Sequence, residues 1–412
     1  MNYSDFGKRF NRYSGISHLM DDLSAGLLDD DMVMLGGGNP AAIPQVLEKF
    51  QQTLDNLQQR GDLLKALINY DASQGNQAFL ESLADYFNSQ YGWGISRKNI
   101  ALTHGSQSAF FTLFNSFAGA SGHSRKHVLL PITPEYIGYS DLGIEDHLFV
   151  SQKPQIEKLP DQYFKYHINF DSLEITSDTG LICVSRPTNP SGNVLTDNEC
   201  RHLDKLARRN NVPLLVDNAY GTPFPHIIFH EVNPFWNDNT IVCLSLSKLG
   251  LPGVRTGIVI AHEEIIHQLS NITAITSLAP GGVGPVLVNE LLRKGELNAL
   301  CDDVIRPFYQ LRCNKVVEWL KQSVNDERMH IHLPEGAIFL WLWFEGLSIT
   351  TSELYEELKK DGLLVVPGKY FFPGQDNPGK HAESCIRMNY VQSEEDLQKG
   401  ISILSRTLRR FW

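Results

Sequence analysis

The sequence lacks paired cysteines, long apolar runs and an excess of basic residues. Its six cysteines are scattered without a CxxC motif, which predicts buried, reduced thiols in a cytoplasmic protein and argues against a disulfide framework. The longest apolar stretch, residues 337–344, has the length of a strand, so no membrane helix is expected. A secretory signal is also not expected, because Tyr13-Ser14-Gly15 follows the first basic residues where an apolar run would be needed. Since 47 acidic residues outnumber 36 basic ones and the formal net charge is -11, nucleic acid is not an expected partner.

The length of the chain and its alternating pattern predict two domains. At 412 residues the chain exceeds the roughly 250–300 residues at which a single core stops growing. From about 76 to 270, helix-like stretches alternate with short apolar runs, a pattern typical of a mostly parallel sheet covered by helices. A helix-like stretch at 308–324 then precedes the strands of a smaller α+β domain. The expected α/β architecture comprises an N-terminal arm with part of the small domain over 1–48, a large domain over 49–300 and a small domain over 301–412.

Residues whose side chains could react or bind a ligand follow most of the predicted strands of the large domain. These strands are predicted at 99–103, 127–131, 180–185, 212–217, 240–246 and 256–261. Open parallel sheets bind ligands beyond the carboxyl ends of their strands. The residues expected to meet there are Gly105-Ser106, Pro134-Glu135-Tyr136, Asn189, Asp217 and Lys248.

Lys248 is the most informative of these residues, because it follows an apolar strand and stands seven residues before Arg255. A lysine acts as a nucleophile only where its amine loses a proton, which burial beside other cations favours. Such a site would suit an aldehyde cofactor held as a Schiff base, with a phosphate group bound close by. Taken alone, Lys248 is more simply explained as a solvated loop lysine.

Other residues supply what a phosphorylated pyridine cofactor would need. A carboxylate beside the ring nitrogen keeps that nitrogen protonated, a role that suits Asp217. Asn189 and Tyr220 offer hydrogen bonds to a phenolic oxygen. A phosphate cradle is predicted from Gly105, Ser106, Ser245 and Arg255. Each feature alone also has a simpler explanation, since a Gly-Ser turn is an ordinary helix N-cap, Asn-Pro forms turns and an aspartate caps helices.

Together these motifs resemble those of the class I and II aminotransferases, which are fold-type I enzymes that depend on pyridoxal phosphate. The resemblance covers nearly the whole chain. The matching segments stand in the family's order at family-like spacings and are Asn189-Pro190-Ser191-Gly192, Asp217-Asn218-Ala219-Tyr220, Ser245-Leu246-Ser247-Lys248, Arg255-Thr256-Gly257 and Arg387. The resemblance implies pyridoxal 5′-phosphate as the cofactor, a fold-type I large domain with a smaller α+β domain, and no metal.

The resemblance also implies a role for each matching residue. Lys248 would form the Schiff base and, with Asp217 and Tyr220, complete the catalytic set. The expected cofactor-binding residues are Tyr70, Gly105, Ser106, Gln107, Tyr136, Asn189, Asp217, Tyr220, Ser245, Ser247, Lys248 and Arg255. The expected substrate-binding residues are Ile16, Gly38, Asn189 and Arg387, with Arg387 clamping the α-carboxylate. Tyr70 would reach a phosphate across a subunit interface, which implies a homodimer.

The segment beyond the lysine bears on the substrate. Family members that act on dicarboxylic acids often supply a second arginine there, whereas Arg255 is the only lysine or arginine between 249 and 292. Residues 276–282 are small and neutral, which indicates an uncharged, fairly small side chain on the substrate. Within the family, the resemblance of Gly36-Gly37-Gly38-Asn39-Pro40 and of the overall layout implies a ping-pong reaction in which valine gives its amino group to pyruvate.

Other functions remain open at this stage. A lyase on the same cofactor framework, or an aminotransferase of another neutral or aromatic amino acid, would keep every residue named above. Transcription regulators with an aminotransferase-like domain carry a basic winged-helix domain first, whereas the pattern here already begins near residue 36. His226 and His230 are spaced as on one face of a helix, but they lack the glutamate of an HExxH zinc motif.

Overall fold

The structure, a computed structural model, describes residues 1–12, 21–22, 26 and 31–412. Within these residues the α-helices are Asp5–Phe10, Pro44–Gln59, Asp62–Ile68, Gln77–Tyr91, Ser106–Phe117, Asp197–Arg209, Glu263–Thr276, Val283–Arg293, Glu296–Ala299, Arg306–Val324, Thr351–Lys360 and Glu394–Leu408. The strands are β1 (Val33–Met34), β2 (Ile100–His104), β3 (Gly119–Ser121), β4 (Ser124–Leu130), β5 (Phe149–Ser151), β6 (Gln155–Lys158), β7 (Tyr163–His167), β8 (Thr179–Ser185), β9 (Leu214–Asp217), β10 (Thr240–Ser245), β11 (Thr256–Ile260), β12 (Met329–His332), β13 (Phe339–Phe344), β14 (Leu363–Leu364), β15 (Val366–Pro367) and β16 (Cys385–Asn389).

The larger sheet has eight strands in the order β2-β11-β10-β9-β8-β4-β3, with β5 beside β4. Strands β10, β9, β8, β4 and β5 run parallel to one another, whereas β11 runs antiparallel to both of its neighbours. Every residue of β9 is buried, as expected for a parallel strand covered on both faces. The predicted α/β architecture with a mostly parallel sheet is confirmed.

The strand register brings the predicted site residues to one edge of this sheet. Asp217, the last residue of β9, pairs with Ser185 of β8 and Cys243 of β10. The loops that follow these strands therefore begin at the same level, and they carry Asn189 and Lys248. This alignment explains why residues far apart in the sequence meet beyond the carboxyl ends of the parallel strands.

The second sheet has six strands in the order β15-β16-β13-β12-β7-β6. Two of them, β6 and β7, come from the middle of the chain, and Tyr163 of β7 pairs in parallel with Ile331 of β12. Neither strand is predicted from the sequence. Strand β6 is exposed along its whole length and therefore lacks the alternation of a half-buried strand. This sheet crosses the expected boundary at residue 300, and the domain limits stay a prediction.

A largely buried ion pair between Lys165 of β7 and Glu335, which follows β12, contacts the loop after β8. The Nζ atom of Lys165 contacts a carboxylate oxygen of Glu335, and it donates to the Asn193 side-chain oxygen and the Val194 carbonyl oxygen at 3.2 Å each. The same Glu335 oxygen accepts the Val194 amide hydrogen at 2.9 Å. These contacts hold the loop against the second sheet. The same loop carries Asn189, so its position is fixed as well.

The glycine segment after β1 is held beside the second sheet. Strand β1 pairs in parallel with β14, and the Leu35 carbonyl oxygen accepts the Asn389 amide hydrogen at 2.7 Å. The Asn389 side chain also donates to the Gly37 carbonyl oxygen at 3.1 Å. These contacts bring Gly36 and Gly38 next to β16, the strand that carries the predicted substrate arginine.

Apolar side chains cover both faces of the larger sheet. Within β9, Leu214 and Val216 face one cluster of buried residues and Leu215 faces another, as the two-residue period of a strand requires. All six cysteines are buried and free, so the predicted buried thiols are confirmed. None of the described helices has both the length and the apolar character that a membrane span requires.

Candidate active site

A cavity of about 270 Å³ lies between the edge of the larger sheet and strand β16. Its walls come from segments that are far apart in the sequence. The lining residues are Gly36, Gly38, Ser106, Gln107, Phe110, Tyr136, Ile137, Ser185, Pro187, Asn189, Asp217, Ala219, Tyr220, Ser245, Ser247, Lys248, Arg255, Val366 and Arg387. Most of the residues predicted from the sequence are therefore brought together here, and the exceptions are Ile16, Tyr70 and Gly105.

One end of the cavity is shaped to hold an anion. Gly105 precedes helix Ser106–Phe117 with a φ of +80°, and a Cβ atom at this position would collide with the Arg255 guanidinium. A Cβ atom on Gly257 would stand 2.6 Å from the Ser106 amide nitrogen. Because both glycines lack that atom, the guanidinium and the start of the helix converge. Backbone amides at a helix start and a guanidinium are the groups that bind phosphate, so this end fits the phosphate of the expected cofactor.

Polar side chains and one tyrosine extend this anion cradle. The Ser245 hydroxyl oxygen accepts the Ser247 amide hydrogen at 3.2 Å, and both serines line the cavity. The Gln107 side chain donates to the Gly138 carbonyl oxygen at 3.0 Å, which ties the helix to the loop that carries Tyr136. Tyr136 offers an aromatic surface against which a flat ring can pack.

Asp217 presents a buried carboxylate at the end of β9. Its Oδ1 atom accepts the Ala219 amide hydrogen at 3.1 Å, and its Oδ2 atom accepts the Tyr139 hydroxyl hydrogen at 2.7 Å. Burial raises the pKa of Asp217 to about 6, while these two hydrogen bonds and the charge of Lys248 act in the opposite direction. The carboxylate is therefore mostly charged at neutral pH and suits a cationic ring nitrogen.

Tyr139, Ser185 and Glu135 are functional candidates that the sequence motifs do not reveal. All three are buried, and their hydrogen bonds form a row that ends at Asp217. The sequence indicates a site role for Tyr139 only weakly. Its spacing of three residues after Tyr136 fits ordinary core packing equally well. Glu135 stands after a predicted strand, but no motif gives it a role.

Lys248 lies in the turn after β10, with its amine near the glycine segment. Its Nζ atom donates to the Gly38 carbonyl oxygen at 2.6 Å and lies 5.3 Å from the centroid of the Tyr220 ring. Burial lowers the pKa of Lys248 to about 8, and the charge of Arg387 acts in the same direction against the opposing effect of Asp217. A lysine with this pKa exchanges its proton near neutral pH, as a nucleophile or general base must.

Arg387 is a buried cation on β16. It donates from Nη1 to the Asn189 side-chain oxygen at 2.8 Å and from Nη2 to the Gly36 carbonyl oxygen at 2.7 Å. Its guanidinium carbon lies 4.1 Å from the centroid of the Phe339 ring, and its buried Nε atom has no hydrogen-bond partner in the described part of the chain. Burial lowers the pKa of Arg387 to about 10, so the guanidinium is still charged at neutral pH. A buried cation with an unused donor suits an anionic ligand such as a carboxylate.

Three predicted residues lie elsewhere. Ile16 falls outside the described residues. Tyr70 follows helix Asp62–Ile68 and is 83% exposed, away from the cavity of its own chain. Gly105 lies behind the Arg255 guanidinium and shapes the anion cradle without lining the cavity.

The two histidines spaced four apart do not lie on a helix, although their spacing would fit one. Residues 226–230 lie outside any helix, and Ile228 forms an isolated bridge with Gly336. His226 has a left-handed φ of 58° that an α-helix excludes. His226 contacts Asp302, and burial lowers the pKa of His230. Over the ranges that the structure describes, no group of three His, Cys, Asp or Glu side chains is placed to hold a metal ion.

A known family accounts for this arrangement. The family model described as aminotransferase class I and II matches residues 30–404. The chain belongs to the class I and II aminotransferases. This aminotransferase uses pyridoxal 5′-phosphate and has the fold-type I architecture of its structural neighbours, so the expected cofactor and fold class are confirmed. The anion cradle, the buried carboxylate and the buried amine fit that cofactor.

Relatives of this aminotransferase match it from end to end. The valine–pyruvate aminotransferase of Escherichia coli (strain K12) is 51% identical, with 100% of this chain and 99% of the relative covered. The crystal structure of a valine-pyruvate aminotransferase from Salmonella typhimurium LT2 superposes with a TM-score of 0.90 at 51% identity, covering 96% of this chain and 99% of that one. A Psychrobacter arcticum 273-4 protein assigned to the amino-acid aminotransferases superposes with a TM-score of 0.97 at 44% identity, covering 100% and 99% of the two chains.

Proposed function

We propose that this aminotransferase transfers the amino group of valine to pyruvate, forming 2-oxoisovalerate and alanine in a ping-pong reaction. The observation that carries the proposal concerns the arginines of the cavity. Among the described lining residues, Arg255 belongs to the anion cradle and Arg387 is the only other arginine. One arginine suits one α-carboxylate and leaves no partner for a second carboxylate. The name of the Escherichia coli relative supports the same two substrates.

The surroundings of Arg387 favour an aliphatic side chain. Val366 of β15 pairs with Arg387 in the second sheet and lines the cavity, and the Phe339 ring lies against the guanidinium. A Cβ atom on Gly38 would lie 3.9 Å from both the Lys248 amine and the Phe339 ring, so the missing side chain leaves space there. Apolar surroundings of this kind accept a branched hydrocarbon and disfavour an unpaired charge.

The residues of the cavity divide the work of transamination among them. Pyridoxal phosphate supplies an aldehyde that carries the amino group and a ring that accepts electrons when a bond at Cα breaks. Arg387 and Asn189 hold the substrate carboxylate and thereby set the direction of the Cα–H bond. Lys248 removes the Cα proton and returns one in the reverse half-reaction. Asp217 keeps the ring nitrogen protonated.

The remaining residues hold the cofactor in place. We assign the phosphate to the start of helix Ser106–Phe117 and to Arg255, because these groups converge where no Cβ atom of Gly105 intervenes. The phenolic oxygen is assigned to Asn189 and Tyr220. The other residues proposed to contact the cofactor are Gln107, Tyr136, Ser245 and Ser247.

We also propose that two copies of the chain form a homodimer. Helix Asp62–Ile68 has no buried side chain, and the exposed apolar residues on it and just after it are Leu64, Leu67, Ile68 and Tyr70. An apolar patch of this kind is typical of a protein contact. A second copy would cover the patch, and the partner's Tyr70 would then reach the anion cradle.

We further infer that the protein works in the cytoplasm. Its six cysteines are free, buried thiols. Unpaired thiols are typical of proteins in reducing compartments.

The absorbance spectrum of the purified holoenzyme tests the substrate proposal. L-valine should convert the band of the lysine-bound cofactor into that of the amino form of the cofactor, and pyruvate should restore the first band. Lys248→Ala should remove the lysine-bound band altogether. A band that valine leaves unchanged would contradict the substrate assignment. Release of ammonia without a 2-oxo acid acceptor would indicate a lyase instead.

A further inference from the structure

Four buried side chains form a hydrogen-bonded row from Glu135 to Asp217, which we call the Glu135 row. Glu135 accepts the Ser185 amide hydrogen on Oε1 at 2.8 Å, and its Oε2 atom lies 2.5 Å from the Ser185 hydroxyl oxygen. The hydroxyl oxygens of Ser185 and Tyr139 are 3.3 Å apart, and Tyr139 donates to Asp217 at 2.7 Å. Asp217 and Ser185 line the cavity, whereas Glu135 and Tyr139 lie behind it.

The placement of the hydroxyl hydrogens depends on the protonation of Glu135. Tyr139 gives its single hydroxyl hydrogen to Asp217, so only the Ser185 hydrogen can fill the contact between Ser185 and Tyr139. If Glu135 is charged, Ser185 must donate to Glu135, and its contact with Tyr139 holds no hydrogen. If Glu135 is neutral, its own hydrogen fills the contact with Ser185, and every contact of the row holds one hydrogen. Only the neutral acid satisfies the whole row.

The charges around Glu135 favour the neutral acid as well. The titratable groups that interact electrostatically with Glu135 are Asp217, Tyr139 and Cys183. Of these, only Asp217 is charged at neutral pH. Burial, together with the charge of Asp217, raises the pKa of Glu135 to about 8 against the opposing effect of its hydrogen bonds. Asp217, in contrast, faces the cation Lys248 and a donating tyrosine. Two buried carboxyl groups that repel each other share one proton, and these contacts locate it on Glu135.

We propose that Glu135 is a positioning residue that, as a neutral acid, orients the hydroxyl hydrogens of the row toward Asp217 and keeps that carboxylate charged. Hydrogen bonds in a row polarise one another, so Tyr139 donates more strongly to Asp217 when Ser185 donates to Tyr139. The inference rests on the proposed role of Asp217 at the ring nitrogen of the cofactor. Glu135 does not line the cavity and acts through Ser185 and Tyr139.

Infrared difference spectra of the holoenzyme test where the proton resides. At neutral pH, wild type minus Glu135→Gln should show a carboxylic-acid C=O band that the amide variant lacks. Tyr166→Phe is the matched control, because Tyr166 is buried like Tyr139 but its hydroxyl accepts from Trp341 at 2.8 Å, outside the row. The acid band should persist in that variant. A wild-type spectrum without the band would overturn the proposal.

The pH midpoint of the band of the lysine-bound cofactor tests whether the row acts on Asp217. Glu135→Met removes the acid at similar volume and should shift the midpoint by a few tenths of a pH unit, whereas Glu135→Gln, which still donates, should stay close to wild type. In a Tyr139→Phe background the row is cut, so Glu135→Met should cause no further shift. An equal shift in both backgrounds, or a larger shift for Glu135→Gln than for Glu135→Met, would overturn the proposal. Both readouts are taken without substrate, so their failure is distinct from a failure of valine to react.

Discussion

The Nη1 atom of Arg387 donates to the side-chain oxygen of Asn189 at 2.8 Å, and this contact joins strand β16 of the second sheet to the loop after β8 of the larger sheet. The hydrogen bond fixes the plane of the guanidinium, which matters because a carboxylate binds a guanidinium through two parallel contacts. The position of a substrate carboxylate is therefore set jointly by residues of both sheets.

Replacement of Arg387 by lysine should impair substrate binding far more than cofactor binding. Lysine cannot make the planar two-point contact, and loss of a buried charge partner costs about 2–5 kcal/mol. Steady-state kinetics should show kcat/KM reduced by the corresponding factor for both valine and pyruvate, while the band of the lysine-bound cofactor persists. Arg410→Lys, on the surface, is the control. An unchanged KM for both substrates would contradict the role of Arg387.

Gly105→Ala should weaken cofactor binding, because the added methyl group displaces the Arg255 guanidinium and the backbone has a left-handed φ of +80°. Fluorescence titration of the cofactor-free protein with pyridoxal phosphate measures the change in Kd. Gly253→Ala is a matched control in the loop before Arg255, since a Cβ atom there meets nothing within 4 Å. Equal affinities for the two variants would argue against the proposed phosphate position.

The rate at which the cofactor-free protein captures pyridoxal phosphate should rise with pH through about 8, the pKa of Lys248. Below that pH the amine is protonated and cannot attack the aldehyde, whereas above it the free amine predominates. Arg387→Met removes a positive charge that lowers the pKa of Lys248, so it should move the profile to higher pH. Stopped-flow absorbance measures both profiles, and a rate independent of pH across this range would contradict the assignment.

Lys165→Met should destabilise the protein strongly, because it removes the cationic partner of the largely buried Glu335 carboxyl group. Breaking a buried ion pair costs about 3–5 kcal/mol, whereas an exposed pair contributes about 0–1 kcal/mol. Lys158→Met, which removes the exposed pair with Glu345, is therefore the control. Denaturation midpoints in urea should fall clearly for Lys165→Met alone and recover in part when Glu335→Leu is added. Similar midpoints for the two single variants would refute the prediction.

Mixed dimers test whether Tyr70 acts across the subunit interface. Tyr70→Ala and Lys248→Ala homodimers should each be weakly active or inactive. A heterodimer of the two variants contains one site with an intact Lys248 and the partner's Tyr70, so coexpression should restore part of the activity. If Tyr70 acted within its own chain, no site would be intact and no activity would return.

The predictions that succeed from the sequence rest on residues at the ends of strands. Asp217, Asn189 and Lys248 follow apolar runs whose strand character is evident locally, and the register of β8, β9 and β10 then brings them together. The arrangement needs no information beyond the order of the strands, because parallel strands end at the same edge of a sheet.

The features that the sequence does not reveal depend on contacts between distant segments. Glu135 gains its significance only from its hydrogen bonds with Ser185, fifty positions away in the chain. The helical spacing of His226 and His230 is a local pattern that the left-handed backbone at His226 overrides. A local sequence pattern does not identify the distant residue that a side chain contacts.

The parallel pairing of β7 with β12 bears on the synthesis of the chain. A ribosome releases Tyr163 long before Ile331, its partner in the sheet, so one edge of β7 has no strand beside it during that interval. In the folded protein the other edge pairs with β6, whose exposed residues include Glu157 and Lys158. Charged side chains on an edge strand discourage pairing with another chain. A β6–β7 hairpin formed before the C-terminal strands would therefore have an open edge at β7, while the charges on β6 would discourage association at its outer edge.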